Sequence, residues 1–430
     1  MASMDLILVI SVFFFLLFIG APIYLTLIAT SLLSMVWFFP NIDLHISLSR
    51  MVGSIESITL MAIPFFIFTA ELMSTGSIGK KLVNVCMKFV GHLPGGFGVA
   101  VVASCTVFGA ISGSGSAGIV ALGAILFPAL ISSGYPKGFS LGLICASSTL
   151  AMLIPPSVVQ IIFALNTSAS IATMFIANMI VGLVLAFLIS IYVLFYAVKN
   201  NIPRQKKATF KELLQAVKEG GWAIGFPVLL LGSIYGGIAT PTEAASLAVA
   251  YVIIVEFFIT RTMKLKDIWR ASYQAGRKVA IVYILIAGGA LFGWVLTMMQ
   301  VPQAMGTLVK GMSFYAVIMI INLLFFLGGM FMDPTALIIV LTPIVYPAAL
   351  AMGIDTIHLG ILVTINSALG MLTPPFGMNI FVGMSQFKVP YSEVLRPLFP
   401  QIFIFVVLLL MLSFFPEIGL WFPRVLGFIK

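Results

Sequence analysis

Charge is scarce in this chain. Asp, Glu, Lys and Arg make up 8% of its 430 residues, histidine and cysteine occur three times each, and 61% of positions are hydrophobic. A soluble globular domain carries about a quarter charged residues, so that class is excluded. Cys86, Cys105 and Cys145 are too few and too widely spaced for a disulfide framework or a metal cluster. His45, His92 and His358 stand apart from the polar segments described below, and no nucleophile with a base, and no metal pair, is grouped in the sequence. An enzyme is therefore not expected. The N-terminus, MASMDLILVI, has no Lys or Arg before its apolar run. A cleaved signal peptide would want one, so residues 4–19 read as a retained span with its N-terminus outside.

What is present is a series of long apolar runs with a mean hydropathy of +1.19, the signature of an all-α polytopic membrane protein. The formal charge of +9 would suit nucleic acid, but the basic residues lie in short segments between apolar runs and report topology instead. No nucleic-acid partner is expected; the bilayer is.

One nine-residue stretch occurs twice. Residues 148–156 read STLAMLIPP and residues 367–375 read SALGMLTPP, an offset of 219. In both, an apolar run suited to a membrane helix is broken by a Pro pair, which removes backbone donors and blocks the preceding helical bonds. Polar backbone freed inside hydrocarbon is tolerated only when buried in protein or lining a cavity, and matched breaks in two halves of a chain point to a transporter's binding site.

The same offset places Pro22 on Pro241, Gly109 on Gly328 and Pro128 on Pro347. The halves are residues 1–198 and 222–430, joined by a basic linker, 199–221. In the first half, spans on either side of Gly20-Ala21-Pro22 are followed by an interfacial helix over 41–57 and a span over 58–75. A Lys-bearing segment at 80–92 then leads to a re-entrant hairpin over 95–133, a broken helix over 139–166 and a span over 171–198. The second half repeats this, with an interfacial segment over 261–278, a hairpin over 312–352 and a broken helix over 359–386. Counting each hairpin as no crossing gives five spans per half, an odd number, so the two repeats have inverted topology. With the linker inside, eighteen Lys and Arg fall inside and four outside (Arg50, Lys310, Arg424 and Lys430). Both termini are then outside.

Four non-helical segments meet near the midplane on this plan: hairpin tips at 112–116 and 332–335, and breaks at 154–157 and 373–379. They offer the hydroxyls of Ser112, Ser114, Ser116, Thr335 and Thr373, the Asp333 carboxylate, the Asn379 amide and unpaired carbonyls. That is a hard-oxygen set suited to a small cation such as sodium. Asp333-Pro334 reads equally as an N-cap with Pro at the first helical position and as a cation ligand. Thr240-Pro241-Thr242-Glu243 reads as a capping box rather than a substrate contact. None of the four segments contains Lys or Arg, so an anionic solute would be held by helix N-termini, hydroxyls and bound cations.

Ser112–Ala117 (SGSGSA), Gly236–Ala245 (GGIATPTEAA), Asp333-Pro334-Thr335 and Thr373–Asn379 (TPPFGMN) resemble the large membrane subunit of tripartite ATP-independent periplasmic (TRAP) transporters, the DctM type. The resemblance covers essentially the whole chain. It implies a multi-pass protein of the bacterial or archaeal cytoplasmic membrane, the inner membrane, and sodium-driven uptake of a small organic acid anion such as a C4-dicarboxylate or sialic acid. It implies two partners, a small four-helix membrane subunit (DctQ type) and an extracytoplasmic substrate-binding protein (DctP type), the small subunit being separate because the chain starts directly at the large one. It also implies an elevator fold of the ion-transporter-superfamily kind, in which hairpins and broken helices, here 95–166 and 312–386, move against a scaffold. The sodium ligands are then drawn from Ser112, Gly113, Ser114, Ser116, Pro155, Asp333, Thr335, Thr373, Gly377 and Met378. The solute contacts come from Ser114, Gly115, Pro156, Ser157, Thr335, Pro375 and Asn379. A sodium–dicarboxylate carrier working without a binding protein is the alternative, and an ion channel a more distant one.

Overall fold

The computed structural model describes residues 2–429; Met1 and Lys430, the latter counted above on the outer face, lie outside the described residues. Among the described residues every regular element is helical. The first half contains α1 (Ala2–Phe18), α2 (Ile23–Phe38), α3 (His45–Ile55), a short 3-10 turn (Ile58–Met61), α4 (Ala62–Thr75) and α5 (Ile78–Val90). There follow α6 (Gly96–Ser112), α7 (Gly115–Ser132), α8 (Lys137–Ser148), α9 (Leu150–Leu153), α10 (Val158–Thr167) and α11 (Ile171–Lys199). The second half begins with α12 (Phe210–Tyr235), α13 (Pro241–Ile253), a π-helical turn (Ile254–Ile259), α14 (Leu265–Met298) and α15 (Val301–Val309). It continues through α16 (Phe314–Phe331), α17 (Pro334–Ala351), α18 (Thr356–Gly370), α19 (Met378–Phe387), α20 (Tyr391–Phe414) and α21 (Glu417–Val425). Nine helical stretches among the described residues are long and apolar enough to cross a membrane.

Two expectations change. The linker 199–221 is irregular only between Asn200 and Thr209, because Thr209 and Glu212 form a capping box that starts α12 at Phe210. The Thr209 amide donating to Glu212, with Lys88 of α5 3.6 Å away, holds that carboxyl below its ordinary range. The segment 261–278 is not a separate interfacial helix. From Leu265 it is one 34-residue helix with the span that follows. In the first half, Pro64 near the start of α4 blocks such continuity, whereas the equivalent position in the second half is Tyr283. The capping box at Thr240 and Glu243 is present, with Pro241 at the first helical position.

The helices form two groups. In one, α14 lies against α2, α3 and α4, and α13 packs on α4 and α12. In the other, the arms α6/α7 and α16/α17 enclose the broken helices, and in the most apolar 18 residues of Lys137–Thr167, 89% of positions are buried. Within each half the first arm meets its own broken helix almost backbone to backbone. A Cβ at Gly109 would lie 2.7 Å from the Ala151 Cα, and one at Gly370 would lie 2.5 Å from the Gly329 carbonyl carbon. Between halves, α7 packs on α19 and α10 on α17.

The second group is larger than the segments 95–166 and 312–386 expected to move together. α20 is tied into it by Asn322 Nδ2, which donates to Ser413 Oγ at 2.8 Å, and by His358 Nε2, 2.9 Å from the Leu412 carbonyl oxygen. α11 is tied in by stacked aromatics, with the Phe139 and Tyr196 rings 3.7 Å apart. Buried polar bonds and a stacked ring cluster resist shear, so α11 and α20 belong with the hairpins.

Candidate functional site

The first hairpin turns at Gly113, whose φ of 59° lies in the left-handed region that glycine tolerates without strain. A side chain there is excluded on a second ground, since its Cβ would lie 2.6 Å from the Pro156 carbonyl oxygen. The tip of the hairpin therefore rests on the break in the first broken helix. The turn's own hydrogen bonds are long: the Ser114 amide to Ser112 Oγ at 3.4 Å, the Ser114 and Ser116 hydroxyls 3.3 Å apart, and the Ala117 amide to Ser114 Oγ at 3.5 Å. Bonds near the geometric limit leave those oxygens with acceptor capacity.

The second hairpin turns at Asp333, which the repeat offset places on Ser114. Both residues are N-caps, Ser114 of α7 and Asp333 of α17, and the Asp333 carboxylate accepts the Thr335 amide at 2.9 Å. The first turns of both helices line one cavity, so the positive ends of two helix dipoles face the same space.

The breaks are held differently in the two halves. Both Pro pairs contain a cis peptide bond. After the first, Gln160 Nε2 donates to the Met152 and Leu153 carbonyls at 2.7 and 3.0 Å. The equivalent position in the second half is Asn379, and its backbone amide bonds the Met371 carbonyl at 3.1 Å. The shorter side chain is thereby left over. Asn379 is fully buried, both its amide atoms lack a partner, and a Cβ at Gly115 would lie 2.9 Å from its Nδ2. A buried amide left unpaired is costly, and the Ser157 Oγ beside the first break is likewise buried without a partner.

The cavity holds about 370 Å³, within the range of small-molecule sites. Ser112, Gly113, Ser114, Gly115, Ser116, Asp333, Thr335 and Met378 line it. Pro155, Pro156, Ser157, Thr373, Pro375, Gly377 and Asn379 do not, although Met152, Val158, Val159 and Met371, which flank the two breaks, do. Of the expected solute contacts, Ser114, Gly115 and Thr335 are on the cavity wall, and Pro156, Ser157, Pro375 and Asn379 are not. Thr373 also uses its hydroxyl to donate to the Leu369 carbonyl at 2.7 Å. The opposite wall, missed in the sequence, comes from the other helix group: Ile67, Ala70 and Glu71 of α4, and Lys278, Ile281, Val282 and Leu285 of α14. Lys278 Nζ and Glu71 Oε1 form an ion pair there.

The family model for the DctM component of tripartite ATP-independent periplasmic transporters matches residues 10–418. The chain belongs to the DctM family. UehC of Ruegeria pomeroyi, an ectoine/5-hydroxyectoine TRAP transporter large permease, is 39% identical over 418 residues, covering 96% of this chain and 97% of the relative. DctM of Pseudomonas aeruginosa, a C4-dicarboxylate TRAP transporter large permease, is 35% identical over 374 residues, covering 86% of this chain and 88% of the relative. The DctM chain also shares its fold with the YdaH transporter of Alcanivorax borkumensis, at a TM-score of 0.58 and 14% identity, over 89% of this chain and 87% of the other. It is a multi-pass membrane protein of a transport family, not of an enzyme family.

Proposed function

We propose that this DctM chain moves a small carboxylate-bearing solute across the bacterial cytoplasmic membrane, driven by sodium, through an elevator motion. The observation that carries the reading is the convergence at one cavity of two helix N-termini and a set of under-used oxygens, backed by a buried, unpartnered amide. Sodium suits the oxygens of Ser112, Ser114, Ser116, Asp333 and Thr335, and Asn379 and Ser157 supply donors and acceptors from behind. A carboxylate suits the helix N-termini, and a bound cation strengthens that attraction, which couples the two fluxes. Carboxylates are common to the C4-dicarboxylates and ectoines for which the relatives are named, so the solute is an organic acid or a zwitterion carrying one.

The packing supports two repeats. α7 on α19 and α10 on α17 are equivalent pairs under the repeat offset, as are the Gly109–Ala151 and Gly329–Gly370 approaches to within one position. Because the Gly113 tip rests on a break near the middle of the Lys137–Thr167 stretch, re-entrant hairpins suit the geometry, although α7 and α17, at 18 residues, are each long enough to cross. The partners on this reading are a small four-helix membrane subunit and an extracytoplasmic binding protein, with both termini of this chain outside.

The test is uptake of a labelled C4-dicarboxylate or ectoine into proteoliposomes containing both membrane subunits. Uptake is expected only with an inward sodium gradient and added binding protein. Uptake without the binding protein would select the stand-alone carrier, and uptake without sodium would overturn the coupling.

A further inference from the structure

The four polar segments carry no cation, yet the cavity that the hairpin tips line does. Lys278 sits on the wall facing the hairpin tips, paired with Glu71. Its ammonium is the only positively charged side chain on that wall among the described residues, against the carboxylates of Glu71 and Asp333. It also ends a charged stretch: the next twenty residues of α14, Val279–Met298, contain no charge, and twenty helical residues rise about 30 Å, the thickness of a hydrocarbon core. Lys278 thus marks the linker-side edge of the membrane on the scaffold.

The pair has no counterpart in the other half. Under the repeat offset Glu71 falls on Ala290, and Lys278 falls on Thr59. Ala290 lines a second cavity of about 280 Å³, with Ser54, Ser57 and Asn166 among its polar residues and no charged one. Twelve residues of α14 separate Lys278 from Ala290, about 18 Å along the helix. The scaffold therefore offers the moving tips a charged wall at the linker side and an uncharged one beyond it.

We propose that Lys278 is a solute-binding group at the linker-side station, taking the solute's carboxylate in exchange for Glu71 when the hairpin tips stand opposite it. The Lys278 side chain is 55% exposed and that of Glu71 17%, so the ammonium is the mobile partner, and a half-exposed pair of this kind is held weakly enough to be traded. Glu71 then acts as an internal competitor that reclaims Lys278 and returns the solute to water. The inference rests on the carboxylate-transport reading above and adds a residue from outside its four segments.

The test is equilibrium binding of succinate and of ectoine to the purified full-length chain in sodium chloride. Lys278→Gln is expected to weaken binding about tenfold, the loss of one charge-assisted hydrogen bond. Lys278→Arg should stay within about threefold, since it keeps the charge. Glu71→Gln should tighten binding, because it removes the competitor. A purely structural ion pair would make the Lys278→Gln and Glu71→Gln effects agree in sign, and that result, or unchanged affinity in Lys278→Gln, overturns the proposal while leaving the tip site standing. Wild-type chain that binds neither probe overturns the transport reading on which it rests.

Discussion

At Asp333 one carboxylate oxygen accepts the Thr335 amide at 2.9 Å and the group lines the cavity, so capping and cation binding are compatible there. Two substitutions separate them. Asp333→Asn keeps an N-cap and removes the charge; thermal stability in detergent should hold, while the sodium concentration for half-maximal uptake rises. Asp333→Ala loses both, and adds a stability loss of about 0.5–2 kcal/mol. Unchanged sodium dependence in both variants would leave Asp333 a cap alone. This residue is legible in the sequence because a cap is a local device, read from Asp-Pro-Thr. Lys278 and Glu71 are not, because 207 residues separate them and each, taken singly, resembles an ordinary interfacial charge. Asn379 stands out for its chemistry, but its position behind the tip depends on Gly115, a contact between halves that no local pattern encodes.

Helix breaks have to dispose of the carbonyls they free. In the first break the fully buried Gln160 takes those of Met152 and Leu153, and in a Gln160→Leu variant both would be stranded. Each buried carbonyl left unpaired costs about 1–3 kcal/mol, so the variant should melt well below wild type in detergent and express poorly. A melting temperature equal to wild type would mean the break is held by other contacts. The breaks themselves are readable, because Pro-Pro in an apolar run has few other meanings. The division of labour between Gln160 and Asn379 is not, since the two differ by one methylene and the consequence depends on which atom reaches the i−8 carbonyl. The continuity of α14 is hidden for a simpler reason: its charged first turns look interfacial, and nothing between Lys278 and Val279 stops a helix.

Across the whole molecule, inverted repeats and an elevator make separable demands. Inversion places Lys206 and Lys310 on opposite faces; a cysteine at Lys206 should react with impermeant reagents only from the cytoplasm, and one at Lys310 only from outside. Labelling of both from one side would remove the inversion. Motion makes the other demand. Ala70 of α4 and Ala117 of α7 line the same cavity from opposite groups, the first among helices packed on α14 and the second at the hairpin tip. If the tips travel from the charged wall toward Ala290, these two residues must separate, and a covalent tie between them must stop transport. Cysteines at both positions, in a background lacking Cys86, Cys105 and Cys145, joined by a short bifunctional maleimide, should abolish uptake. Sodium binding should survive, because its oxygens come from the hairpins and breaks, which the tie leaves intact relative to one another. Tying α20 to α16, by contrast, should leave transport near wild type, since the Asn322–Ser413 bond already makes them move together. Transport at the untied rate in the Ala70–Ala117 variant would mean that the two helix groups do not slide past each other, and the cavity would then have to open by local movement of the tips alone.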